Sequence, residues 1–440
     1  MTTAPLQTTA RPDGPASAGA TLEAMRLGVV PREDLDAFTV GRRAEMDLVD
    51  GDLARVDERG GAVRAFLGDY GAGKTHLLEL IAHRALADNF VVGRVVLDPR
   101  ETPPSHPKRV YRELIRSLSY PDRPSGAGRS LAPLFERALA SDEVRRDFFV
   151  DSRRRARSKL DEGAHLYLTP ALRYFDALAG GDGAALDEAS RDEGMTLLFD
   201  WLEGHPTVST GDIDDGLREL VGRRGRVYSM MDFRPWSRIY GYLLSGLSTL
   251  ARRAGYAGLV VLIDEAEFYS LLSAENREFA RFLFKALAFA SIGAEADLLP
   301  FDRDALDRGG YGILQDLPPQ YDPDAGLYTV FAMTPHAGGI EALRAALPAD
   351  ALAEIAPLGH PDYRELVARV FDYYRALRPR ADLGERLEAA VAKIACGLAE
   401  RAYLEDPRQA MKFVVEILDL ATFRPDAIAD VVDDLRRMHP

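Results

Sequence analysis

The stretch Gly68-Asp69-Tyr70-Gly71-Ala72-Gly73-Lys74-Thr75 decides how this chain is read. An apolar run, Ala62-Val63-Arg64-Ala65-Phe66-Leu67, precedes it and reads as a buried strand. His76-Leu77-Leu78-Glu79-Leu80-Ile81-Ala82 follows and reads as an amphipathic helix. The pattern G-x-x-x-x-G-K-[ST] means a phosphate loop only in such a strand–loop–helix setting. Its glycines let the backbone turn so that successive N–H groups converge on phosphate oxygens, and the helix start adds the positive end of its dipole. Lys74 then reaches the β- and γ-phosphates, while the Thr75 hydroxyl is placed to ligate Mg²⁺. The alternative is an ordinary glycine turn. With 37 glycines and six lysines in 440 residues, chance supplies only about 0.005 matches per chain.

A second motif lies about 190 residues further on. Gly258-Leu259-Val260-Val261-Leu262-Ile263 is a β-branched-rich run without alternation, as expected of a strand buried on both faces. It ends in Asp264-Glu265. A carboxylate at the carboxyl end of a parallel strand can hold Mg²⁺, and the next one can polarise a water for attack on phosphorus. Asp264 is therefore the expected metal residue and Glu265 the expected base. Acidic dipeptides are usually solvated surface; the apolar run before this one argues otherwise.

Composition narrows the setting. The length allows two or three cores, and 47% hydrophobic with 28% charged residues is ordinary for a globular chain. A net charge of −14 argues against broad adhesion to nucleic acid or to an anionic membrane, but not against a local basic groove. The single cysteine, Cys396, excludes a disulfide framework and a cysteine-based zinc site. Apolar runs stay far short of a membrane span, and the N-terminus lacks a signal-peptide pattern. The expectation is a cytoplasmic protein with no membrane partner.

Residues 1–20 are small, polar and rich in Pro and Gly, and read as a disordered tail. The first part of a phosphate-loop domain spans 21–100, with a second strand at 90–98. Residues 101–256 carry several helical patterns, at 108–118, 131–139, 169–178 and 236–254, and read as a helical insertion. The second part of the domain spans 257–358, with strands at 327–333 and, more weakly, 354–358. Residues 359–440 read as a helical lid. There Asp406-Pro407-Arg408 has the form of a helix start, placing Arg408 where it can fold over phosphates. The basic run from Arg153 to Lys159, and a shorter one at Arg223-Arg224-Gly225-Arg226, are candidate phosphate-backbone contacts or solvated faces.

With these residues in view, the chain resembles the AAA+ branch of phosphate-loop ATPases, with Val40-Gly41-Arg42 ahead of the loop and Thr334 after the fourth strand. More narrowly it is similar to the ATP-binding proteins of BREX-type bacteriophage exclusion, the BrxD type. The matching text is LGVVP, VGR, GDYGAGKTHLL, VVGRVVLDP with VYRELIRSL, LVVLIDEAE and DPRQAMKFVVEILDL, from Thr21 to about Thr422. The resemblance implies an α/β, AAA+-like P-loop fold with a five-stranded parallel sheet, a large helical insertion and a C-terminal helical lid. It implies ATP and Mg²⁺ as cofactors. Nucleotide would be bound by Gly68 to His76, with Val40 and Gly41, and the metal by Thr75 and Asp264. Lys74 and Glu265 would be catalytic, with Thr334 as γ-phosphate sensor and Arg408 as lid sensor. Many relatives carry Asn where Thr334 stands, so water would be oriented less strongly here. Arg277, Arg281 and Arg344 are candidate arginine fingers.

The function so implied is an ATPase serving as a motor or switch subunit of an anti-phage system, with other defence proteins as partners. DNA contact, direct or through a partner, and homo-oligomer formation stay open. The alternatives are a nucleotide-gated scaffold with slow hydrolysis and a DNA-loading ATPase of replication or transposition. The second predicts strongly salt-dependent DNA binding by the isolated chain.

Overall fold

The computed structural model describes residues 15–28, 35–123, 130–149, 164–180, 186–206, 209–230, 232–306, 317–379, 381, 383–401, 403–404 and 407–438. The basic run at 153–159 and Asp406 lie outside them. The chain divides into two compact units. One comprises Met1–Leu48, Gly68–His83 and Glu354–Pro440; the other comprises Val49–Leu67 and Arg84–Ala353.

The second unit holds the sheet. Its strands are β1 (Gly61–Leu67), β2 (Phe90–Val96), β3 (Gly258–Asp264), β4 (Leu327–Met333) and β5 (Leu352–Glu354), in the order β2-β3-β4-β1-β5. All run parallel. β1, β3 and β4 are buried at every position, which is why they read as continuous apolar runs rather than alternations. The register pairs Leu67 with Met333 and Ile263 with Phe331. It therefore aligns the carboxyl ends of β1, β3 and β4 along one edge, where open α/β sheets carry their sites. β5 is centred earlier than the run at 354–358: Pro357 lacks the N–H that a ladder needs.

Between β2 and β3 the chain builds a helical region of the same unit. Helices Pro107–Arg116, Ala132–Leu139, Leu168–Leu178 and Ser237–Arg253 match the four expected patterns within a few residues. Asp142–Phe148, Glu188–Leu202 and Thr210–Val221 are additional. Aromatic side chains pack this region: Tyr111 against Tyr240, Phe135 against Phe175 and Phe199, Tyr167 near Trp201. His165 is fully buried, stacked on Tyr242 at 4.3 Å between ring centres. Its Nδ1 accepts the N–H groups of Tyr167 and Leu168, capping the helix that follows. Burial pushes its pKa down to about 3.

The first unit gathers helices from both ends of the chain. Its core joins Leu22, Met25, Phe38 and Val40 to Tyr363, Phe371, Val391 and Val414. The C-terminal helices are His360–Leu377, Glu385–Glu400, Pro407–Phe423 and Ile428–Met438. The helix Pro15–Arg26 begins inside the segment read as a disordered tail, at Pro15. Proline suits a first helical turn, where its missing N–H costs nothing.

Candidate functional site

The phosphate loop belongs to the first unit. The chain leaves β1 at Leu67, turns through Gly68 to Gly73 and starts the helix Lys74–Ala87. Gly71 has φ 80° and Gly73 φ 88°, a region that L side chains avoid. Ala72 N–H closes a turn on the Asp69 carbonyl at 3.0 Å. At Gly68 a Cβ would sit 3.0 Å from the Ala72 methyl and 3.2 Å from Ile355. The loop is thus folded as an anion cradle, with backbone N–H groups at a helix start. Lys74 is buried, and its ammonium donates to the carbonyls of Gly68 at 3.0 Å and Asp69 at 3.3 Å. It spans the loop that a triphosphate would enter. Tyr70 stands 85% exposed.

Sequence reading named Val40 and Gly41 for this site and passed over Arg42. Arg42 is buried, and its guanidinium donates to the Ala72 carbonyl at 2.6 Å and to the Ala356 carbonyl at 2.7 Å. Glu45 lies 3.3 Å from it and accepts the Ala356 N–H at 3.1 Å. One arginine thereby braces the phosphate loop against the segment that leads into the helix His360–Leu377. Desolvation lowers its pKa, with Glu45 opposing. Gly41, at φ 63°, sits where a Cβ would strike Leu358 and Asp362 within 2.8 Å. Val40 is buried in the same unit's core.

His76 resolves into a single tautomer. The Thr39 hydroxyl donates its hydrogen to the Leu35 carbonyl at 2.7 Å, so it can only accept from His76 Nε2–H at 2.9 Å. Burial and the charges of Arg42 and Arg408 push its pKa down to about 4, so the imidazole is neutral, with its proton on Nε2. That also places Arg408, exposed in the first turn of Pro407–Phe423, within electrostatic reach of the loop helix.

The acidic half belongs to the second unit. Asp264 closes β3 and is only 2% exposed. Its Oδ1 accepts the Glu265 N–H at 3.0 Å and its Oδ2 accepts from Arg94 Nη2 at 3.0 Å. Among the described residues Glu265 is one of two non-glycine residues with positive φ, at 59°. A left-handed glutamate costs energy and persists only where its surroundings fix it, a mark of functional sites. Thr334, first after β4, donates its hydroxyl to Glu267. Arg277 donates to the Ser270 carbonyl at 2.7 Å, and Arg281 lies 3.6 Å from Glu341. In the second basic run, Arg224 Nε donates to the Val221 carbonyl and Arg226 covers the Tyr228 ring.

The donor set fits a hard cation. Among the described residues no three His, Cys, Asp or Glu gather to hold a metal by themselves. A cation on Thr75 or Asp264 would need phosphate oxygens and water, as Mg²⁺ beside nucleotides does.

A parallel sheet with this loop after β1 and this acidic pair after β3 defines an α/β P-loop NTPase. Within that class, residues 15–280 match the model of the BREX system ATP-binding proteins BrxC/D. The chain belongs to that family. No curated protein and no solved structure matches it. Among the described residues no helix is long and apolar enough to cross a membrane.

Proposed function

We propose that this chain is a Mg²⁺-dependent ATPase that acts as a motor or switch subunit in a BREX-type anti-phage system. The loop Gly68–Thr75 binds the triphosphate, with Lys74 as its cation and the Val40-Gly41 turn, Thr39 and His76 beside it. Thr75 and Asp264 hold Mg²⁺, which supplies positive charge to the β- and γ-phosphate oxygens when bound. Glu265 takes the proton of the attacking water. Arg408 adds charge from the lid, so that nucleotide state is coupled to lid position. Partners are other proteins of the same system, in the cytoplasm.

The observation that carries hydrolysis is Glu265, held left-handed by a hydrogen bond to the buried Asp264. Steady-state turnover tests it. Glu265→Gln keeps size and loses basicity, so ATP binding is expected to persist while turnover falls roughly 10²–10⁴-fold. Lys74→Ala, the binding control, should weaken ATP at least tenfold, about 1.4 kcal/mol. Turnover by Glu265→Gln within threefold of wild type would remove Glu265 as base.

A second reading, a nucleotide-gated scaffold with slow hydrolysis, draws on Thr334. Its hydroxyl is committed to Glu267 and so is poorly placed to sense a γ-phosphate. Partner assembly driven equally by ATP and by a non-hydrolysable analogue would favour it.

A further inference from the structure

Arg94 is the one charged residue of β2, Phe-Val-Val-Gly-Arg-Val-Val. The register sets Arg94 opposite Leu262 and Val96 opposite Asp264. Residues two apart on a strand share a face, and they lie about 6.6 Å apart along it. An arginine at position 94 can therefore reach along its own strand to the carboxylate at the end of the next. It does so: Nη2 meets Asp264 Oδ2 at 3.0 Å, with the two side chains 20% and 3% exposed. The opposite face is closed at the neighbouring residue, where a Cβ on Gly93 would lie 3.2 Å from the Leu114 carbonyl. The guanidinium is thus confined to the Asp264 side.

Asp264 is consequently the middle of a three-part chain. Arg94 takes Oδ2, and Oδ1 takes the N–H of Glu265. The second bond pins the backbone of the residue at φ 59°. Rotation of the carboxylate about its χ2 bond would break both bonds together, so fixing one oxygen fixes the other.

We propose that Arg94 is a positioning residue for the acidic half of the site, acting through Asp264 in two ways. It neutralises part of the charge that Asp264 offers to a divalent cation. It also holds the carboxylate in the orientation that keeps Glu265 aimed. This rests on the reading of Asp264 as metal residue and Glu265 as base.

The two effects have opposite signs, which separates them from damage to the fold. Without the guanidinium, Asp264 presents more negative charge, and a cation is attracted more strongly. Without the second anchor, Glu265 loses its aim and turnover drops.

The test is a Mg²⁺ titration of fluorescent ATP-analogue binding, alongside ATP turnover, on the full chain. In Arg94→Gln the Mg²⁺ concentration giving half-maximal binding should fall at least threefold while turnover falls at least tenfold. Arg94→Lys keeps the charge with poorer geometry. It should titrate within twofold of wild type and lose turnover about threefold, and it carries the test if Arg94→Gln does not fold. An unmoved titration in Arg94→Gln, a weakened one, or a tightened one in Arg94→Lys would overturn the inference. A wild-type chain that binds the analogue without regard to Mg²⁺ would instead overturn the metal assignment of Asp264, and this inference with it.

Discussion

Two arginine–aspartate pairs of the sheet unit, one buried and one half-buried, differ in where along the strands they sit. Arg64 lies mid-strand in β1, opposite Val330 of β4. It grips Asp52 through Nε and Nη2, and the Tyr328 hydroxyl donates to the same carboxylate at 2.8 Å. The cluster is buried: Arg64 is 8% exposed, Asp52 3% and Tyr328 not at all. Arg94 and Asp264 sit instead at the carboxyl end of their strands, and their third partner is a strained backbone rather than a hydroxyl. The same two side chains thus fasten a helix to a strand in one place and tension a candidate base in the other. Position along a parallel strand decides which, because only the carboxyl edge opens toward ligands.

The largest expected effect tests the mid-strand pair as a structural element. Arg64→Ala leaves Asp52 buried without its cation and should cost about 3–5 kcal/mol of unfolding free energy. Denaturant unfolding of that variant beside Arg94→Gln would break the contrast if the two lost equal stability.

Tyr328→Phe is smaller. It removes one hydrogen bond to a charged group, about 1.5–3 kcal/mol, and should leave the Mg²⁺ dependence of nucleotide binding untouched. Burial and the charge of Asp52 push the phenol well above its ordinary range, so it remains a donor throughout working conditions. A shifted Mg²⁺ titration would mean that the mid-strand pair also speaks to the site.

The smallest effect comes from acid. Neither pair contains a histidine, so a loss of stability that begins below pH 6.5 belongs elsewhere, to His165 and His76, with the pKa of His106 lowered by burial as well. The folded values of His165 and His76, about 3 and about 4, lie below the ordinary 6.5. Above pH 6.5 both folded and unfolded chains hold these rings neutral, and their stabilisation is complete. Below it the unfolded chain takes up protons that the folded chain refuses, so stability declines as pH falls toward those lower values. Melting temperatures of wild type and His165→Gln measured at pH 7.5 and 5.5 check this. The variant should show the weaker dependence; equal slopes would clear His165.

Much of this was legible in the chain. The loop from Gly68 to Thr75 between β1 and a helix, and Asp264 at the end of β3, could be placed because such motifs sit at given offsets from apolar strands. β1 to β4 were legible because strands of a parallel sheet are mostly apolar, even where β1 carries Arg64 and β2 carries Arg94. Arg94 itself was not. A single charge in an apolar strand has no spacing signature, and its meaning depends on which strand lies alongside. Helices such as Glu188–Leu202 were faint for a different reason: Gly194, Leu198, Trp201 and Leu202 are buried along it, a helical spacing confined to its second half and begun on a glycine, which carries no apolar signal. The long helix Ala274–Ile292, whose acidic start follows the Asp-Glu motif closely, went unremarked beside that stronger signal.

The placement of the helical insertion bears on how the chain is born. β2 and β3 are neighbours, with Phe90 paired to Gly258, yet roughly 170 residues separate them along the chain. During synthesis β1, the phosphate loop and β2 emerge long before β3 exists to join them. Until it arrives, β2 has a two-bond bridge between Val92 and Ser119 but lacks the full ladder that β3 supplies, and poorly paired apolar strands invite association with other chains. The insertion's aromatic core emerges in that interval. By collapsing first it would draw the two strand ends together, which cuts the span that the last pairing must close. Newly made chains halted before Gly258 should accordingly be the ones that call on chaperones.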